Sequence, residues 1–299
     1  MSNISLLITG STSKTGIDFL KILSKNNFKK KIYLIIRKKS HKEKFKNLKL
    51  NILFIVEDLK KLSKKKIYFE EELICFHIAG INTSLDVLNF CIKNHIKKIV
   101  SIHTTGMFSK YKPESNLYIK IDHLFKKKCS LFKIKYCLIY PTLIYGTKDD
   151  GNISKLIIFI KSKFFFPIFG NGHNLFQPVY YQDLSKSFYQ IFKNQKKCIK
   201  NNKYILSGKN PIKYISMLNL IRSEVNSQIF FVKIPIKLSI YILNLLKFVN
   251  KKIPINKYLI LRMLENRSFS HIKASIDFGY NPTSFKSGIR KQIKEYFNL

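Results

Sequence analysis

The chain has 299 residues, of which 45% are hydrophobic, and 55 Lys or Arg stand against 17 Asp or Glu, for a formal net charge of +38. The apolar share is enough for a packed core and excludes a disordered polyelectrolyte. The charge invites a nucleic-acid reading, but almost all the excess is Lys, spread over every segment; the arginines are Arg37, Arg222, Arg262, Arg267 and Arg290. Readers of bases and phosphates favour the planar Arg fork, so a drift toward AT-rich codons explains the composition and nucleic acid is set aside as a partner. Anionic membrane surfaces and phosphorylated substrates remain compatible with the charge.

Residue 4 already belongs to the first strand, over 4–9, which leaves no room for a secretory signal peptide. A short polar turn follows, and Gly16 opens the first helix. Further strands are predicted over 31–37, 51–56, 72–78, 98–103 and 135–141, with helices over 85–95 and 115–132. This alternation predicts an α/β fold built on a doubly wound parallel sheet. Ligands of such sheets sit at the carboxyl ends of the strands. Beyond it, helices are predicted over 152–161, 183–192, 215–225, 236–249 and 285–297, with shorter strands near 177–181, 203–207 and 228–232.

Cys75, Cys91, Cys129, Cys137 and Cys198 contain no Cys-x-x-Cys pair and lie mostly in apolar surroundings. Reduced, buried thiols behave this way, which points to the cytoplasm. Seven histidines without ligand spacing give no metal site. No segment reads as a transmembrane helix: Pro167, Gly170, Gly172 and Pro178 break the charge-free stretch 164–182, and Lys237 and Lys247 bound the apolar run 238–246.

The most informative stretch is Thr9-Gly10-Ser11-Thr12-Ser13-Lys14-Thr15-Gly16. A strand ending in a glycine turn that opens a helix makes a phosphate cradle. Gly10 permits the tight turn, Gly16 allows close helix–strand packing, and the free N–H groups of the first helical turn face the anion. Other segments fall in a matching order: Val56-Glu57-Asp58-Leu59, Phe76-His77-Ile78-Ala79-Gly80, Lys98-Ile99-Val100 through Thr104-Thr105-Gly106-Met107-Phe108, and Tyr140-Pro141-Thr142-Leu143-Ile144-Tyr145-Gly146. They continue with Gln177-Pro178-Val179-Tyr180-Tyr181-Gln182-Asp183-Leu184 and Phe278-Gly279-Tyr280-Asn281-Pro282, then Phe285 and Gly288.

Taken together, these segments resemble an extended, partly atypical short-chain dehydrogenase/reductase of the NAD(P)-dependent nucleotide-sugar epimerase/dehydratase group, along essentially the whole chain. The resemblance implies a Rossmann-type NAD(P)-binding domain over 1–148. It implies a smaller mixed α/β substrate lobe over 149–299, partly interleaved with the sheet. It places Thr9, Gly10, Ser11, Ser13, Lys14, Thr15 and Gly16 around the cofactor pyrophosphate, although Ser13 stands where the family has its middle glycine. Asp58 and Leu59 approach the adenine, Ala79 and Gly80 pass beneath the nicotinamide ribose, and Pro141 and Thr142 complete the cofactor site. Arg37 ends the second strand, where an acidic residue would hold a ribose 2′-hydroxyl; a cation there fits a 2′-phosphate, so NADP(H) is expected before NAD(H). Tyr145, Asn152 and Gln177 fall at substrate positions.

One departure matters more than the others. The family's chemistry uses a Tyr whose phenol exchanges a proton with the substrate, a Lys four residues later that lowers the phenol pKa, and a Ser or Thr hydroxyl that orients the reacting oxygen. Only Tyr189 has a Lys (Lys193) at that spacing, far beyond the sixth strand; Tyr118 is followed by Asp122. Thr104 keeps the hydroxyl position. His103 is a substitute proton donor or a strand-end histidine held by local backbone, and Tyr118 and Tyr145 are further candidates. Tyr140 stands where the family commonly has Arg before Pro. Two accounts remain: an epimerase, dehydratase or reductase of a nucleotide- or lipid-linked sugar whose acid–base group has moved, and a non-catalytic NADP(H)-binding sensor or accessory subunit.

The run Phe164-Phe165-Phe166-Pro167-Ile168-Phe169 and the segment 236–249 are unusually apolar. They suit burial against the rest of the chain or a homodimer partner. The sharper alternative is peripheral contact with the inner face of a membrane, with Lys237 and Lys247 reaching anionic lipid.

Overall fold

A strand sandwiched between two helical layers must be apolar on both faces, and β1 (Ser5–Thr9), with Leu6-Leu7-Ile8 at its centre, is buried at every position. The computed structural model describes residues 4–40, 42–249 and 256–297. After β1 come α1 (Lys14–Lys25), β2 (Ile32–Ile36), β3 (Ile52–Val56), β4 (Leu73–His77), α2 (Ser84–Lys93), β5 (Lys98–Ile102), α3 (Ser115–Leu131) and β6 (Lys135–Pro141). The chain continues through β7 (Ile144–Tyr145), α4 (Ile153–Ser162), β8 (Phe165–Phe169), β9 (Leu175–Phe176), β10 (Val179–Tyr180), α5 (Tyr181–Lys193), α6 (Gln195–Cys198), β11 (Asn202–Leu206) and β12 (Ile212–Lys213). It ends with α7 (Tyr214–Glu224), β13 (Phe230–Ile234), α8 (Ile236–Val249), α9 (Lys257–Leu261), α10 (Ile272–Phe278) and α11 (Phe285–Phe297).

Seven strands form one parallel sheet in the order β11-β6-β5-β4-β1-β2-β3. The strand order reverses between β1 and β4, which opens a crevice at their carboxyl ends. Alternate residues serve the two faces. Leu6, Ile8, Ile74, Phe76, Val100 and Ile139 pack with Phe19 and Leu20 of α1 and Leu184 and Phe188 of α5. Leu7, Cys75, Ile99 and Leu138 pack with Val87 and Phe90 of α2 and Phe125 of α3. A second core, from Tyr145, Ile153, Ile157, Met217, Ile221, Phe285 and Ile289, joins α4, α7 and α11.

The six predicted strands of the first half are all present, with boundaries within two residues. In the second half the strand predicted near 203–207 is the seventh strand of the main sheet, hydrogen-bonded to β6. The strand expected near 228–232 runs over 230–234; a slip of two keeps each side chain on its face. Helix α1 begins at Lys14, so Gly16 lies in its first turn rather than at its start. The aromatic run 165–169 is a strand, paired in parallel with β13, and α10 was not anticipated. All five cysteines are buried and free. No helix among the described residues is long and apolar enough to cross a membrane. The Lys247 side chain lies outside the described residues.

Candidate active site

The crevice between β1 and β4 is built on backbone contact. Gly10 has φ +72°, and a Cβ there would stand 2.7 Å from the Ala79 nitrogen; one on Gly16 would stand 2.5 Å from the Gly10 carbonyl oxygen. Neither position has room for a side chain. Ser13, the residue that departs from the glycine pattern, is the N-cap of α1: its Oγ accepts from the Gly16 N–H at 3.1 Å and donates to the Gly10 carbonyl at 2.8 Å. The N–H groups of Lys14 and Thr15 keep no intrahelical partner and remain for an anion. Ser11 Oγ is buried beside them without a partner. The Lys14 ammonium turns away, to Glu295 of α11 at 2.9 Å. These groups fit a dinucleotide pyrophosphate.

His77 holds the two walls of the crevice together. Its Nε2 lies 2.8 Å from the Gly80 carbonyl and its Nδ1 2.7 Å from Thr9 Oγ1. A carbonyl can only accept, so Nε2 carries the proton and Nδ1 accepts from the Thr9 hydroxyl. Burial pushes the His77 pKa down to about 4. Ala79 and Gly80 are thereby fixed against Gly10, facing the cavity that also contains Thr104. On the far side of the turn, Arg37, Lys38, Lys39, Ser40, Lys44 and Lys61 line a second cleft with Thr12 and Asp58. Leu59 packs into the α2/α3 core.

The main cavity, of ≈ 930 Å³, runs from Ala79 and Gly80 past Thr104, Tyr118, Pro141 and Thr142 to the segment 262–269. Thr104 caps a short 3₁₀ turn, its Oγ1 accepting from the Gly106 N–H at 3.0 Å; its own proton is therefore available to donate. His103 is not held by local backbone. Its Nδ1 lies 2.8 Å from Asp122 Oδ1, and its Nε2 is buried with no partner. Asp122 also accepts from Tyr140 at 2.6 Å and from Lys126. Burial works to raise the Asp122 carboxyl, yet the hydrogen bonds from His103, Lys126 and Tyr140 hold it well below the usual carboxylate range. Burial lowers the His103 pKa, so the ring is neutral near pH 7 with its proton on Nδ1. Tyr140, at the position where Arg was expected, serves Asp122 rather than a ligand.

Tyr118 is half-buried at the cavity wall, with the Lys112 ammonium 4.6 Å from its ring centre. Lys112 Nζ and Thr104 Oγ1 each stand 3.1 Å from the point a Gly106 Cβ would occupy. Tyr145, by contrast, is fully buried in the second core, its phenol enclosed by Gly288 and Phe285; it does not line this cavity. Tyr189 and Lys193 sit on α5, also away from it.

The far end of the cavity was not legible as a site in the sequence. Arg267 stacks on Phe176, its guanidinium 3.8 Å from the ring centre. Its Nε and Nη2, and Nε of Arg262, are buried without hydrogen-bond partners. Burial, and then the neighbouring Arg262, push the Arg267 pKa down to about 10. Glu265 between them accepts from Ser109 Oγ at 2.7 Å and from the Lys110 N–H at 2.6 Å, docking the segment onto the loop after Thr104. Gln177 spends its amide on backbone, donating to Gly208 and accepting from Phe269, so it shapes the wall. Thr142 is tied to the Gln177 carbonyl at 2.5 Å. Asn152 lies at the rim.

No protein-family model matches the chain, and none of the curated proteins does. Solved structures do. The UDP-glucose 4-epimerase of Thermotoga maritima, determined with UDP-glucose, is 16% identical over 98% of both chains, with a TM-score of 0.71. The UDP-glucuronic acid 4-epimerase of Bacillus cereus, in complex with UDP-glucuronic acid and NAD, is 17% identical over 98% of this chain and 99% of that one, with a TM-score of 0.72. The dTDP-glucose 4,6-dehydratase of Bacillus anthracis, in complex with NAD, is 12% identical over 99% and 96%, at 0.70. The chain has the fold of the NAD-dependent sugar epimerases and dehydratases. At this identity the likeness concerns the fold, and the chemistry must be argued from the site.

The His77 bridge makes a stability prediction. With a folded pKa near 4 and an unfolded value of about 6.5, the unfolded chain takes up the proton first as pH falls. The contribution of the neutral ring is therefore complete above pH 6.5 and lost on the way to pH 4. By linkage the loss reaches about 2–3 kcal/mol at pH 4.5. Chemical denaturation of wild type and His77→Gln at pH 7 and 4.5 should show stabilities that converge in acid by about that amount; parallel pH curves would contradict the assignment.

Proposed function

We propose that the protein binds NADP(H) across the β1/β4 crevice and acts on a nucleotide- or lipid-linked sugar as an epimerase, dehydratase or reductase. The observation that carries the substrate class is the pair Arg262 and Arg267, whose buried N–H groups have no protein partner in a cavity continuous with the Thr104 site. A buried guanidinium without partners is costly unless a ligand completes it, and a diphosphate matches its fork geometry. The sugar then lies between the crevice and this pair, beside Thr104, which lines the same cavity. Residues 1–148 then hold the cofactor and 149–299 the nucleotide or lipid diphosphate. The five buried, reduced thiols support a cytoplasmic setting.

Bound NADP(H) supplies hydride transfer at its nicotinamide. Thr104, its oxygen already engaged by Gly106, donates its proton to the reacting sugar oxygen and orients it. Asp122 holds His103 in the tautomer whose Nε2 accepts a proton, which makes His103 the acid–base group this reading favours over Tyr118. A second reading, a non-catalytic NADP(H)-binding protein, is favoured by the dyad itself: the one Tyr with Lys four residues on, Tyr189, lies outside the cavity.

The cofactor preference rests on the cleft lined by Arg37, Lys38, Lys39, Ser40 and Lys44, which suits a 2′-phosphate. NADPH should bind at least tenfold more tightly than NADH in calorimetric titration, and Arg37→Ala should remove most of that ratio. Equal affinities in the wild type would discard the assignment.

Turnover is tested by following cofactor absorbance and sugar epimers over a panel of nucleotide sugars. On the active substrate, Thr104→Val should lower kcat tenfold or more. Arg267→Lys should raise KM tenfold or more with a smaller effect on kcat, because an ammonium cannot reproduce the fork. No turnover of any sugar, with NADPH still raising the melting temperature, would favour the non-catalytic reading. Full activity in both variants would place the chemistry elsewhere.

A further inference from the structure

The β8–β13 ribbon turns one face inward, with Phe166 and Phe231 opposite each other against the second core. By the strand period of two, its other face is formed by Phe165, Pro167 and Phe169 opposite Phe230, Val232 and Ile234. That face is wholly apolar, and its leading end is open: Phe164 is 88%, Phe230 71% and Phe165 61% exposed. After Pro235 the chain enters α8, where Leu238, Tyr241 and Leu245, spaced along one side of the helix, are also exposed.

The elements that form this surface carry charge of one sign. The sequence contains no Asp or Glu between Asp150 and Asp183, and none between Glu224 and Glu265. Both intervals include the elements of the patch. Lys163, Lys233 and Lys237 are exposed on or beside them. An apolar surface built from segments that carry cations and no acid repels a second copy of itself, because a two-fold interface would set like charges face to face. It matches a surface that offers hydrocarbon beneath fixed negative charge.

We propose that the outer face of the β8–β13 ribbon, with the exposed side of α8, is a docking surface for an anionic lipid bilayer. Phe164, Phe165 and Phe230 enter the headgroup–acyl boundary, and Lys163 and Lys237 meet the phosphates of the lipid. No membrane span is involved; the contact is peripheral and salt-sensitive.

A net charge of +38 would by itself draw the protein to anionic vesicles, so the deciding variant leaves charge unchanged. Full-length wild type should co-sediment with vesicles of phosphatidylcholine containing 30 mol% phosphatidylglycerol and not with pure phosphatidylcholine. Phe165→Ser/Phe230→Ser should bind the anionic vesicles at least tenfold more weakly at the same ionic strength. Equal binding by the double variant would overturn the proposal, reducing the interaction to bulk charge. A wild-type dimer in sedimentation velocity that the double variant dissolves would also overturn it, assigning the face to a second copy. Should the double variant fail to fold, Phe165→Trp decides. The chain has no Trp, so this single fluorophore should shift to the blue on anionic vesicles; an unshifted spectrum contradicts insertion.

Discussion

The geometry of the site depends on the approach of two backbones, the Gly10 turn after β1 and the Ile78-Ala79-Gly80 segment after β4. They stand so close that a single Cβ on Gly10 would overlap the Ala79 nitrogen. His77 secures the approach by bonding one wall through Thr9 and the other through Gly80. The crevice exists because β1 and β4 are neighbours at the reversal of strand order. Its polarity exists because α1 starts there with N–H groups to spare. Replacing either glycine or the histidine would open a gap in the floor of the crevice.

A second polar layer lies along the α3 face of the sheet. His103, Asp122 and Tyr140 form one buried network that Lys126 joins from the partly exposed side, and within it His103 Nε2 has no partner. A half-finished network in a low-dielectric interior is costly unless something completes it. Ser101 Oγ, on the same face of β5, is likewise buried and unpartnered. This pattern separates His103 from an ordinary core histidine such as His77, both of whose ring nitrogens are engaged.

Much of the fold was legible because its signals are local. Apolar runs bounded by turns give the six strands of residues 4–141, and the Gly10–Gly16 spacing gives the cradle. The signals failed where the partner is distant. Nothing near 203–207 says that this strand returns to the main sheet, since its neighbour β6 lies some 65 residues earlier. Tyr145 reads as a substrate residue from its motif, yet α11, from the end of the chain, seals it with Gly288. Arg262 and Arg267 lacked any motif, but one cue was present. In a chain where nearly every cation is Lys, the five arginines stand at positions where a planar fork matters. Arg267 stacks on Phe176 and Arg222 on Phe231, Arg290 pairs with Glu224, and Arg37 and Arg262 line the two clefts.

On the proposed function, one continuous cavity holds a dinucleotide at the glycine turn and a sugar diphosphate at the arginine pair. A crystal structure of the protein with NADPH and UDP-glucose tests it most directly. The dinucleotide pyrophosphate should lie against the first turn of α1, the UDP diphosphate within hydrogen-bonding distance of Arg262 and Arg267, and the sugar beside Thr104. Density for the nucleotide sugar away from both arginines, or for the dinucleotide away from Gly10 and Gly16, would contradict it.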